Sequence, residues 1–87
     1  MGHVIRKGDS ASCGHTASGS INVIVNGRGA SRVGQDSAGG LILGPGEPTV
    51  LVNGFPISLR GDAVAGHGDS PHNAPTMTGG SNNVFAG

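Results

Sequence analysis

The segment GSINVIVNGRGASRVGQ, Gly19 to Gln35, lies over GEPTVLVNGFPISLRGD, Gly46 to Asp62, at an offset of 27 residues. Gly19, Val23, Val25, Asn26, Gly27, Ser31 and Gly34 recur identically in the second copy. A third, incomplete copy, GSNNVFAG, spans Gly80 to Gly87, and its missing half stands at the other end, where VIRKGD (Val4 to Asp9) lies over ASRVGQ (Ala30 to Gln35). Three equivalent units, one split across the two ends, predict a closed pseudo-threefold object and not an open solenoid.

Each unit reads as a β-hairpin. Asn26-Gly27 and Asn53-Gly54 follow apolar runs, and Asn-Gly accepts the positive φ angles of the type I′ turn that suits strand twist. The strands NVIV and TVLV are apolar on both sides of the pleat, whereas a half-exposed antiparallel strand alternates apolar with polar. Val23, Val50 and Val84 are expected to fill a small core. Ile24, Leu51 and Phe85 then form a second ring, either an apolar surface that docks a partner or one covered by the protein's own loops. Helices are nearly excluded, because the longest stretch without glycine, Asp69 to Thr78, carries Pro71 and Pro75.

Composition sets the energetic problem. Gly makes up 18 of 87 residues, roughly three times the usual share. Phe55 and Phe85 are the only aromatics other than histidine. A single domain over residues 1–87 with so little bulk needs a metal, an oligomer or a template to hold it. Formal net charge is zero, with five basic and five acidic residues and no basic cluster, which argues against nucleic-acid binding. No apolar run approaches the roughly 20 residues of a membrane span, and MGHVIRKGDS has no hydrophobic secretory core. The expectation is a chain made in the cytoplasm without a standard export signal.

These residues resemble the PAAR-repeat family, whose hallmark is a Gly-Ser-Pro-x-Val-x-x-Asn-Gly strand and turn followed by Pro-Ala-Ala-Arg-x-Gly-Asp. The first half is well kept in both complete copies. The second is degenerate: GASRVGQ (Gly29 to Gln35), PISLRGD (Pro56 to Asp62) and the remnant Val4 to Asp9. The resemblance covers essentially the whole chain. It implies a small all-β cone of three hairpin repeats, with Gly-rich loops converging on a vertex. It further implies a non-enzymatic tip that caps a trimeric β-helical spike, one copy per trimer, in a type VI secretion system or phage tail. Such a tip meets the target membrane transiently, can carry effector proteins, is loaded in the cytoplasm and is delivered outside. The apolar ring Ile24, Leu51, Phe85 would face the spike. The alternative function is a small free-standing zinc metalloprotein or hydrolase.

The family also implies a metal near the vertex, generally zinc, held by His and Cys. The loop after Asp9 carries Cys13 and His15, and the loop after Asp62 carries His67 and His72. The loop after Gln35 carries neither residue type. If the loops converge, these four make a Cys-His₃ set, the count for closed tetrahedral zinc, with iron still open from ligand type. Spacing alone is weak, since neither C-x-H nor H-x₄-H is a zinc-finger signature. The plainer alternatives are a buried small residue for Cys13 and a solvated loop histidine for His15. Gly14 between them would permit the tight turn a shared site needs. His3 is left out, because it lies on the strand side of Val4 to Asp9.

Other features take plainer readings. Arg60-Gly61-Asp62 is part of a repeat and not an adhesion tripeptide. Asp9 and Asp62 occupy equivalent places and are expected to cap turns. Gly27-Arg28-Gly29 matches no phosphate loop, because no Lys-Ser/Thr follows.

Overall fold

The computed structural model describes residues 2–87. Their regular elements are eight short strands: β1 (Gly2–His3), β2 (Ile24–Val25), β3 (Arg28–Gly29), β4 (Ile42–Gly44), β5 (Glu47–Val52), β6 (Phe55–Ile57), β7 (Ala63–Val64) and β8 (Phe85–Ala86). The fold is all-β, as expected. β2–β3 and β5–β6 are hairpins closed by Asn-Gly turns, with φ near 52° at Asn26 and 53° at Asn53. The third hairpin joins the two ends of the sequence: β1 pairs β8, Gly2 with Ala86 and His3 with Phe85. That register matches Val25 with Arg28 and Ile24 with Gly29 in the first hairpin, and Val52 with Phe55 and Leu51 with Pro56 in the second.

The three units close around a ring of backbone hydrogen bonds. The Ile5 N–H donates to the Ser58 carbonyl (2.9 Å), Ser58 N–H to Ser31 (2.9 Å) and Ser31 N–H back to Ile5 (3.0 Å). All three residues are fully buried. Around this ring, bridges link Val4 to Leu59, Arg6 to Ala30 and Arg32 to Ile57, so each segment pairs with both others. The outer edge of each second strand is also used. Gly29, Pro56 and His3 carbonyls accept from the N–H groups of Lys7 (2.7 Å), Val33 (2.8 Å) and Arg60 (2.8 Å).

The ring separates two apolar layers, because successive side chains on an extended segment point to opposite faces. Val4, Ala30 and Ile57 turn towards the hairpins and join Val52 and Ala86 in one cluster. Ile5 turns the other way and packs with Ala11, Ala17, Ala38, Ile42, Val64 and Met77. The hairpins fill the core on the expected face, with Val23 and Val84 packed half-buried against the cluster and the deepest places two residues further along. Val52 and Ala86 are buried, Val25 is half-buried in the equivalent place, and Val50 is exposed. Strand residue Val52 leans over Ile57 and Ala30, whereas the start of β5 runs outward.

Each unit ends in a turn pinned by an aspartate. Asp9 accepts from the Arg6 N–H (2.7 Å), Asp36 from Arg32 N–H (2.8 Å) and Asp62 from Leu59 N–H (2.8 Å). The capping role expected for Asp9 and Asp62 is therefore met. The second unit uses Asp36 and not Gln35, since Val33-Gly34-Gln35 makes its turn one residue longer than the other two. Arg6 and Arg32 also clamp their aspartates through the guanidinium. Burial pushes both carboxyls up, but hydrogen bonds and charge from Arg6 and Arg32, with Arg28 on Asp9 and Ser18 on Asp36, hold them below the ordinary carboxylate range. Asp62 has no arginine. Leu59 stands where Arg6 and Arg32 do, and Ser58 Oγ and the Gly46 N–H donate to it instead.

Candidate metal centre

The loop beyond Asp9 folds back on itself. The Ala11 N–H donates to the His15 carbonyl (2.8 Å) and Gly14 N–H to Ala11 (3.0 Å). Gly14 takes φ near 91°, the left-handed conformation that lets Cys13 and His15 face the same point. The loop beyond Asp62 makes a second tight return, with His67 N–H donating to the His72 carbonyl (2.8 Å) and His72 N–H to Asp69 (2.7 Å). The two loops meet through the Ala11–Met77 bridge and the Ser12 N–H to Thr76 carbonyl bond (2.8 Å). Buried Val64, Pro75 and Met77 anchor the second loop, so it has an apolar hold beyond any metal.

These returns bring Cys13, His15, His67 and His72 together, one donor atom from each lying within 4.8 Å of all the others. His67 Nε2 stands 3.1 Å from His15 Nδ1, 3.2 Å from His72 Nδ1 and 3.7 Å from Cys13 Sγ. Cys13 Sγ is 3.4 Å from His15 Nδ1. A tetrahedron with metal–nitrogen bonds near 2.0–2.1 Å and a metal–sulfur bond near 2.3 Å has edges of about 3.3–3.6 Å. The spacing and the donor types therefore fit a single bound cation.

Hydrogen bonding among the rings does not account for the cluster. His67 Nδ1 lies 2.9 Å from the Ala65 carbonyl, which can only accept, so Nδ1 carries the proton and the neutral ring presents a lone pair at Nε2. One lone pair cannot serve three neighbours as a hydrogen-bond acceptor, but it can serve a metal. The Ala65 carbonyl thus has the orienting role that supports metal-bound histidine. His3 stays apart, bonded to the Ser81 carbonyl (2.8 Å) and edge-on to Phe85.

The loop after Gln35, without His or Cys, closes the site with glycine. A Cβ on Gly39 would overlap His15 Nδ1 and come 2.7 Å from His67 Nε2; one on Gly40 would come 2.9 Å from His67 Nδ1. Gly39 also has φ near 84°. Sequence reading treated this loop as an absence of ligands. The Gly39-Gly40 pair was its only signal, hard to separate from sixteen other glycines.

The predicted partner ring is exposed. Ile24 is 55 %, Leu51 60 % and Phe85 42 % exposed, in equivalent positions of the three hairpins. Among the described residues no loop covers them.

No family model, curated protein or solved structure matches this chain.

Proposed function

We propose that this chain is a non-enzymatic tip protein of the PAAR type, which caps the blunt end of a trimeric β-helical spike in a contractile injection machine. The observation that carries the reading is the closed pseudo-threefold ring, with an exposed apolar residue on every hairpin and the four-ligand cluster on its other side. A threefold end face matches such a partner, and burial of Ile24, Leu51 and Phe85 would supply the apolar contact. The hydroxyl- and glycine-rich loops around Cys13, His15, His67 and His72 make the vertex that leads into the target membrane. A type VI secretion system and a phage tail present the same kind of spike.

Zinc is the proposed ion. One thiolate and three imidazoles suit it, and four protein ligands leave no position for substrate or activated water. That closed set supports a structural role over a hydrolytic one. When bound, the ion would add a staple to two loops that already meet through Ala11 and Met77.

Mixing the purified chain with the C-terminal β-helix of a spike trimer tests the reading by native mass spectrometry. One copy per trimer is expected. Failure with every spike encoded near this chain would overturn it, as would hydrolase activity that is lost in Cys13→Ala.

A further inference from the structure

The two strands of each hairpin use their backbones differently. The second strands spend their outer edges inside the protein, through the Gly29, Pro56 and His3 carbonyls. The first strands do not. In the first hairpin the Ala30 N–H donates to the Val23 carbonyl (2.8 Å), and in the third the Val4 N–H donates to the Val84 carbonyl (3.2 Å). In an antiparallel ladder, inward and outward residues alternate. The N–H and C=O of Ile24 and Phe85 therefore point away from their partner strands, and the shared register gives Leu51 the same orientation. Just before them, Ser20 Oγ accepts from Asn22 and Val23 N–H, Ser81 Oγ from Asn83 and Val84, and Glu47 Oε1 from Thr49. Those side chains occupy the start of each edge. Among the described residues no backbone or side-chain group pairs the N–H of Ile24, Leu51 or Phe85.

We infer that the three first-strand edges are sites of strand addition: Ile24, Leu51 and Phe85 each give one N–H and one C=O to an extended segment of the partner. This rests on the spike-tip reading and adds how the partner is held. Main-chain bonds supply register in such pairings, while the neighbouring side chain supplies apolar contact. Here both come from the same three residues. An open edge is normally blunted by charge or by a covering loop, yet Ile24, Leu51 and Phe85 are exposed and apolar. The occupant is fixed by geometry. Three equivalent edges around one axis call for three equivalent strands around one axis, which a trimer of extended chains provides and a single peptide does not. The edge residues carry no charge, so the matching strand ends should be neutral where they meet them.

The test uses the chain assembled by ligation at its only cysteine, Cys13, with an N-methyl amide at Ile24, Leu51 or Phe85. N-methylation removes the outward donor and crowds the edge, but leaves the inward bonds of the ladder intact. Thermal stability should stay unchanged, and affinity for a trimeric β-helical spike fragment should fall by about tenfold or more at each site. In the free protein, amide exchange should be fast at Ile24, Leu51 and Phe85 and slower at Val25, Val52 and Ala86. Binding unaffected by N-methylation overturns strand addition and leaves the spike-tip reading standing. No binding by the unmodified chain overturns both. Self-association of the free chain that N-methylation abolishes would make a second copy the occupant and overturn the trimer assignment.

Discussion

The ring of hairpins and the vertex are built from the same repeat, and they treat its symmetry in opposite ways. Around the ring every unit makes the same backbone bonds, although the residues differ: Ile5, Ser31 and Ser58 share one role. At the vertex the three loops diverge. One brings Cys13 and His15, one brings His67 and His72, and the third brings Gly39. Backbone pairing is indifferent to side chain, so it keeps threefold order at little constraint on sequence. A four-ligand site cannot be divided by three, so a chain with four ligands must break that order. The third loop contributes by getting out of the way.

Removing metal should separate the regions most sharply. If the vertex binds zinc, chelation at pH 7 removes apparent stabilisation on the order of 10 kcal/mol. The melting temperature should then fall by tens of degrees, and His67→Ala should behave like the chelated protein. Amide exchange would show whether loss begins at residues 10–16 and 63–78 while the ring stays protected. A ring that opens at the same rate as the vertex would break the division drawn here.

Gly39→Ala comes next. It should cost about 1–3 kcal/mol through the overlap with two imidazoles and the positive φ, and it should weaken metal binding. The matched substitution Gly34→Ala tests backbone strain alone, since its Cβ meets open space at a φ near 79°. Equal effects in the two variants would show that Gly39 does not shape the site.

Within the ring, Asp36→Asn should destabilise by about 1–2 kcal/mol, because it leaves the half-buried Arg32 without its charge partner. The same pair predicts an acid limb. The Asp9 and Asp36 carboxyls lie below their unfolded value near 3.8, so their stabilisation is present above about pH 4. It is lost as pH falls through the lowered folded values, where the unfolded chain binds more protons. Denaturant midpoints between pH 5 and 2 should drop less steeply in Asp36→Asn than in the parent.

The smallest effect is expected at the odd corner. Two corners link an arginine to a turn asparagine, Arg6 to Asn26 (3.1 Å) and Arg32 to Asn53 (3.2 Å). The third has Leu59 and Gly87 in those places. Leu59→Arg should change stability by less than about 1 kcal/mol, since the half-buried apolar contact it loses against the hairpin cluster is offset by an arginine clamp on Asp62. A large gain in the denaturant midpoint would mean that the arginine–aspartate clamp outweighs the packing of Leu59.

The hairpins were legible because Val-x-Val-Asn-Gly carries both strand and turn chemistry in five residues. Cys13, His15, His67 and His72 were legible as a candidate set only through the repeat and the family resemblance together, because their spacing alone carries little. The aspartate of the second unit was hidden, because a one-residue longer turn moves it from the Gln35 column to Asp36. The hairpin face that turns inward was read correctly, but its deepest residues lie two places further on: side chains at i and i+2 share a face, so alternation alone does not say which of them is buried most. The closing bonds from Lys7, Val33 and Arg60 leave no trace in the sequence, because any non-proline N–H can make them.

If the chain caps a threefold spike, as proposed, the triangle of hydrogen bonds at Ile5, Ser31 and Ser58 has a consequence for assembly. A plug whose backbone repeats every third of a turn can seat on a threefold socket in three orientations. With equal contacts, that choice favours loading by about 0.6 kcal/mol and spares any rotational search. The vertex does not share the degeneracy, so a population of assembled tips would point His15 in three directions. An image averaged over threefold symmetry would then show sharp hairpins at the socket and a blurred point above them, although every single molecule has a defined tip.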